Sequence, residues 1–224
     1  MGIAERKTKE KEELKALILG GAKKLFLEKG IEQTTVRSIA KSINYSVGTV
    51  YVYYKDKNTI LNDLHKMGFV ELGNQMSPLF HVSNPIERLK ALGRVYINFA
   101  LENPDMYDLM FLMNAPMDFL DDSLKENYLR EGKEANLVNQ SNQKEWLEGK
   151  GTFSVLRQTV QDCIDVGHFK NHETEALSFM VWGLVHGICA LQIRGRVNHI
   201  KFKEPKTILK RAFDSFNLMV DTVK

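Results

Sequence analysis

Apolar residues recur at three- and four-residue steps along nearly the whole chain, and that period predicts helices rather than strands. From about Lys9, the positions Leu14, Leu17, Ile18, Ala22, Leu25 and Phe26 form one stripe, and Gly30 after Lys29 supplies a helix stop. A short helix is predicted from about Thr35, with Val36, Ile39, Ala40 and Ile43 on its inner face. Asn44 tolerates the left-handed backbone that a tight turn needs. Ser46 stands as the N-cap of a third short helix, Val47 to about Tyr53. Asp56 can cap a long fourth helix, about Lys57 to Gln75, closed by Pro78. Pro85 opens a fifth, to Glu102, and Asn103-Pro104 precedes a short sixth that ends before Pro116. Further helices are predicted over about 122–148 (the most polar), 152–166, 173–193 and 205–222, with breaks at Gly149-Lys150-Gly151, Gly167 and Gly195. No stretch alternates with the period of two and the hairpin turns that strands require. The predicted fold class is all-α, with about nine or ten helices. A three-helix headpiece occupies residues 1–57 and a larger helical domain residues 58–224.

Composition narrows the picture. At 224 residues and 43% apolar, the chain can bury a real core. Cys163 and Cys189 are too few for a disulfide framework or a cysteine-type zinc site, and they fit a reducing compartment. The segment MGIAERKTKEKEE has no apolar run after its basic residues, so no secretory signal is expected. The longest apolar stretch, Phe179 to Leu191, is shorter than a membrane span and carries His186. These features predict a soluble, cytoplasmic protein with no membrane partner. The net charge of +3 is unevenly spread: residues 1–60 hold 12 Lys/Arg against 7 Asp/Glu. A basic end on a mildly acidic body points to a polyanion. The Lys-rich run Lys7 to Lys15 reads as a solvated terminus or as an arm that grips phosphate or the minor groove, and Glu10, Glu12 and Glu13 favour the former.

Two short helices joined by a tight turn and resting on a longer one make a helix-turn-helix unit, whose second helix enters the major groove. In that helix Val50 and Tyr54 can face the core with Ile39 and Phe26, leaving Val47, Gly48, Thr49 and Tyr53 outward. Thr49 offers a hydroxyl and a methyl; Val47 can contact only a thymine methyl or a sugar. The segment Thr34-Thr35-Val36-Arg37-Ser38-Ile39-Ala40, with Val47-Gly48-Thr49-Val50-Tyr51-Val52-Tyr53-Tyr54-Lys55-Asp56-Lys57 and Ile60-Leu61, resembles the DNA-binding signature of the TetR family of bacterial repressors. The run Trp182-Gly183-Leu184-Val185-His186-Gly187 is similar to a motif of one TetR C-terminal subgroup. The resemblance implies an all-α homodimer that binds double-stranded DNA and a small hydrophobic or amphipathic effector, with residues 58–224 as the ligand-binding and dimerisation domain. It also implies roles: Thr35 caps the second helix and touches phosphate, and Arg37 meets phosphate or a base at the groove edge. Gly48 and Thr49 lie against bases, Tyr51 and Tyr53 donate to phosphates, and Lys57 pairs with one. Ser38, where the family usually has an acid, is expected to leave the reciprocal capping box incomplete. Asn44, Tyr45 and Val47 also depart from the family pattern, and Val47 puts the operator sequence beyond inference.

Elsewhere the chemistry is sparse. His168 and His172 are four apart, but Gly167 and Asn171 place them in a loop with no third ligand in sequence, so no metal site is expected. No nucleophile elbow, phosphate-cradling loop or carboxylate pair stands out, so no catalytic residue and no cofactor are predicted. His65, Phe69, Tyr96, Phe99, Tyr107 and Phe111 are candidate effector contacts, and the same residues would serve equally as core; Asn98 and His186 are further polar candidates. Leu156, Val160 and Ile164, with Met180, Leu184, Ile188 and Leu191, are candidate dimer contacts, because the helix over 173–193 is apolar around much of its circumference. A central buried helix is the alternative. The competing function is a helical ligand-binding or scaffolding protein whose headpiece meets a protein partner.

Overall fold

The computed structural model describes residues 2–113 and 150–223. Among them the fold is all-α with no strand. The helices are α1 (Ile3–Lys29), α2 (Val36–Ser42), α3 (Val47–Tyr53), α4 (Lys57–Met76), α5 (Pro85–Glu102), α6 (Pro104–Tyr107), α7 (Lys150–Asp165), α8 (Thr174–Ile193) and α9 (Ile208–Thr222). Short 3-10 turns cover Ser77–His81 and Pro205–Thr207, and α6 runs into a π-turn at Asp108–Leu112. The predicted polar helix over 122–148 lies outside the described residues.

Compactness divides the chain in two: residues 2–67 with 109–113, and residues 68–108 with 150–223. In the first unit Ile18, Ala22, Phe26, Ile39, Ala40, Val50 and Ile60 have no exposed surface, so the three-step stripe of α1 is the core face the period requires. Gly30, at φ 82°, turns the chain out of α1. Asn44, at φ 58°, makes the left-handed turn between α2 and α3. Thr34 Oγ1 donates to the Gly30 carbonyl at 2.8 Å, tying down the loop before α2. Asp56 caps α4 by accepting from the Thr59 backbone N–H at 2.8 Å and its hydroxyl at 2.9 Å. Those bonds hold its carboxyl below the usual range.

In the second unit α5 packs on α7, and α8 packs on both. Asn84 caps α5 through Ile86 and Glu87, with Pro85 at the first helical position. Leu89, Leu92, Phe99, Val155, Val160, Cys163, Val181, Val185 and Cys189 fill the interior. Two ion pairs pin the helices: Arg88 of α5 to Asp162 of α7, and Lys90 of α5, itself buried, to Asp221 of α9. Cys163 and Cys189 are core residues, and burial pushes the Cys163 thiol up to about 11 and that of Cys189 to about 12. Helix α8 is long and apolar enough by composition to cross a membrane. Here it packs on α5 and α7 with Leu177, Ser178, Val181, Val185 and Cys189 buried.

Candidate nucleic-acid interface and the polar cluster of the second unit

The headpiece holds α3 by both ends. The Ser46 side chain accepts from the Thr49 backbone N–H at 3.0 Å and lies 2.8 Å from the Thr49 hydroxyl, so the start of α3 is fixed. At the other end Tyr54 is buried. With Val50 and Tyr54 inward, a helical turn of 100° per residue turns Gly48, Tyr51 and Val52 outward. Tyr51 is 55% exposed and Val52 80%, while Val47, Thr49 and Tyr53, expected to face outward, are half-buried at the edges of that face. Val52 is the outward residue that sequence reasoning missed. The signal was present, since position 52 lies opposite the Val50–Tyr54 stripe.

At the start of α2 the expectation of an incomplete capping box is corrected. Thr35 Oγ1 accepts from the Ser38 N–H at 3.1 Å, and Ser38 Oγ accepts from the Thr35 N–H at 3.0 Å. A serine hydroxyl reaches back as well as a carboxylate would, because the span is a single turn. Arg37 is exposed beside this cap. Lys57 is placed differently from a free phosphate ligand. Its ammonium donates to the Ile31 carbonyl at 2.8 Å and the Glu32 carbonyl at 3.2 Å, closing the turn between α1 and α2. A lysine has three donors, so one remains for an outside acceptor.

The effector candidates fall into both units. His65 Nε2–H donates to the Leu109 carbonyl at 3.0 Å in the first unit, and burial lowers its pKa. In the second unit Tyr96 and Tyr107 converge with two residues of α8. The Trp182 indole N–H donates to the Tyr96 hydroxyl at 3.4 Å, and the Tyr96 and Tyr107 hydroxyls are 3.3 Å apart. Tyr107 reaches His186 Nδ1 at 2.7 Å, and the two rings stack at 5.6 Å. Burial lowers the His186 pKa and raises the Tyr96 phenol to about 12. An imidazole whose charged form burial disfavours and two neutral phenols therefore form a polar patch inside an apolar shell, able to orient a ligand that is otherwise hydrophobic. Sequence reasoning had Tyr96, Tyr107 and His186 as candidates but not Trp182, and not their convergence, which joins residues up to 90 apart in the chain. Phe99 is wholly buried, and Phe69 and Phe111 are half-buried.

Among the candidate dimer contacts, Val160 is corrected: it has no exposed surface and packs inside its own unit. Helical period cannot separate two apolar faces of one helix, and Val160 lies on the inner one. Leu156, Ile164 and Ile188 are half-buried. On α8, by contrast, Met180 is 59%, Leu184 36% and Leu191 48% exposed, joined by Phe179 at 65%. Between them Gly183 and Gly187 have open space where a Cβ would stand.

A capped two-helix unit with a tight turn and an outward face of small, aromatic and hydroxyl side chains, joined to a larger helical unit, defines a helix-turn-helix DNA-binding protein. Comparison with known proteins specifies the family. The family model for bacterial regulatory proteins of the tetR family matches residues 18–64, and that for the tetracyclin repressor-like C-terminal domain matches residues 89–216. The chain belongs to the TetR family of bacterial regulatory proteins. The biofilm operon icaADBC HTH-type negative transcriptional regulator IcaR of Staphylococcus aureus (strain Newman) is 31% identical over 108 residues, or 47% of this chain and 57% of IcaR. The chain thus spans little more than half the length of the curated relatives it matches. The fold is shared with the fatty acid degradation regulator FadR from Bacillus halodurans (TM-score 0.65, 18% identity, 93% of this chain and 99% of that one). It is also shared with the TetR-family regulator PfmR from Thermus thermophilus (TM-score 0.59, 17% identity, 91% of this chain and 96% of that one).

Proposed function

We propose that this protein is a cytoplasmic homodimeric repressor that leaves a palindromic operator when a small hydrophobic or amphipathic effector binds. Residues 1–57 read the DNA, and residues 58–224 hold the effector and the partner subunit. The observation that carries the reading is the outward face of α3. Gly48, Tyr51 and Val52 make no core, and the Ser46 cap and the buried Tyr54 hold the two ends of their helix. Thr35, Arg37, Tyr51, Tyr53 and the spare donor of Lys57 set register on phosphates, while Val47, Gly48 and Thr49 meet bases. Two such headpieces need a two-fold axis. The apolar face of α8, with Phe179, Met180, Leu184 and Leu191, supports one. The name of IcaR, a negative regulator, supports repression over activation.

The Tyr96–Tyr107–His186–Trp182 cluster supports an effector with an apolar body and one polar group. Such an effector acts only by binding the two conformations unequally, and a tenfold ratio corresponds to about 1.4 kcal/mol.

The test is selection of bound sequences from random duplex DNA by purified protein, repeated at two salt concentrations. A palindromic site is expected. Thr49→Ala should alter preference at one or two base pairs by ~1–3 kcal/mol each. Tyr51→Phe should weaken all sequences alike. Binding that is absent even at low salt would sink the proposal and favour a protein partner for the headpiece.

A further inference from the structure

We infer that the outer half of α1 carries a second phosphate-binding track, a groove between α1 and α3 that grips the DNA backbone beside the bases α3 reads. The inference rests on the DNA-binding reading above and extends it to residues outside the helix-turn-helix.

Helix α1 begins at Ile3, yet its buried residues begin at Ile18. Residues 4–13 are exposed throughout, so more than two turns of helix project beyond the core with no packing to hold them. What holds them is local: Arg6 pairs with Glu10 at 2.9 Å and Lys9 with Glu13 at 3.8 Å, each one turn apart. That pairing sorts the charges of the Lys-rich run by face. Glu10 and Glu13 each have a cation of their own, and Glu12, the third glutamate of the run, does not line the groove between α1 and α3; Lys7, Lys11 and Lys15 remain at four-residue steps as a cationic stripe. Like charges so spaced weaken a helix by a few tenths of a kcal/mol per pair, so the stripe does not serve the helix itself. Lys15, innermost, has Asp63 at 3.9 Å and lies 5.8 Å from the centre of the Tyr54 ring. Among the described residues, no ion pair engages Lys7 or Lys11.

Both of these lysines face a groove of about 780 Å³ whose opposite wall is Tyr45, Val52 and Tyr53. Glu10 and Glu13 also border it, their charge offset by Arg6 and Lys9. The groove is therefore continuous with the outward face of α3 through Val52, and its uncompensated charge is positive. Lys7 and Lys11 stand about 6 Å apart along the helix, close to the axial rise of two nucleotide steps at about 3.4 Å each. Tyr45 is 45% exposed on the turn before α3, and its phenol adds a donor beside that of Tyr53. Leu14 and Leu17 give the groove an apolar floor suited to deoxyribose rather than to a free anion. A strand of duplex DNA leaving the major groove at the end of α3 meets these features in one place.

The experiment uses the full-length protein and its selected operator, titrated across a salt series. Lys7→Gln/Lys11→Gln is compared with Lys24→Gln/Lys29→Gln, which removes the same charge from the same helix about 25 Å further along. Glutamine matches lysine in helix propensity, so the fold is retained. Loss of two phosphate contacts should make the slope of log affinity against log salt shallower by about 1.8 and weaken binding by up to about 60-fold at 0.1 M salt. Base preference should not change, and the control pair should behave as wild type. Equal slopes for the two double variants would overturn the inference and leave the α3 reading intact. A changed base preference in the Lys7/Lys11 variant would also overturn it, since α1 would then be orienting α3 rather than holding phosphate. Wild-type protein that fails to bind at low salt would remove both readings together.

Discussion

Lys57 has an observed role inside the headpiece and, in the function proposed above, a second one on DNA, and replacing it separates the two. Lys57→Met keeps the aliphatic stem and removes the ammonium. Inside the headpiece this deletes the 2.8 Å bond to the Ile31 carbonyl and the 3.2 Å bond to the Glu32 carbonyl. Bonds to charged groups contribute about 1.5–3 kcal/mol each when sheltered. The Ile31 bond is half-sheltered and the Glu32 bond is at the surface, where water replaces the lost donor, so about 2 kcal/mol in total is expected. At an m value near ~2 kcal/mol/M that lowers the urea midpoint by about 1 M, read by circular dichroism without DNA. The salt slope of operator binding should separately become shallower by about 0.9, for one phosphate. An unchanged urea midpoint alongside lost DNA affinity would refute the structural half of the argument: the ammonium would then belong wholly to the phosphate.

Three further outcomes follow from the geometry. Gly93→Ala places a methyl 2.7 Å from the buried Phe213 ring, and should cost about 1–3 kcal/mol by overpacking α5 against α9, visible as a lowered melting temperature. His65 and His186 both have pKa values lowered by burial from 6.5, so the unfolded chain takes up protons first. Stability should be full above about pH 6.5 and decline as pH falls below it, by up to ~1.4 kcal/mol per pH unit for each histidine. His65→Gln should flatten part of that decline in urea titrations run from about pH 7.5 to about pH 5. Met180→Glu should turn a dimer into a monomer of unchanged helix content in sedimentation experiments; a wild-type monomer at micromolar concentration would contradict the role given to α8.

Most helix limits were legible because each carries local punctuation. Asn84-Pro85, Ser46 and Asp56 act within three residues of where they stand, so their spacing in sequence is their spacing in space. The Ser38 cap escapes a reading by charge for a different reason: the requirement is for a reaching oxygen, not for a carboxylate. What stayed hidden was long-range. The Lys57 bond to Ile31 spans 26 residues and the Tyr107 bond to His186 spans 79, distances over which periodicity says nothing about direction. Val160 shows the same limit within one helix, since an apolar residue facing its own core and one awaiting a partner are written alike.

The two bare glycines of α8 have a consequence for the life of a single subunit. Each lowers helix stability by about 1 kcal/mol relative to alanine, and at Gly183 and Gly187 no atom among the described residues lies within 4 Å of where a Cβ would stand. In the dimer proposed here a second backbone fills that space, so the final ordering of α8 and the pairing of chains become one event. Newly made subunits would then keep α8 docked on α5 and α7 while its outer face stayed incomplete until they met a copy of themselves. Operator occupancy would rise more steeply than protein abundance, because a pair of headpieces forms only when two subunits pair.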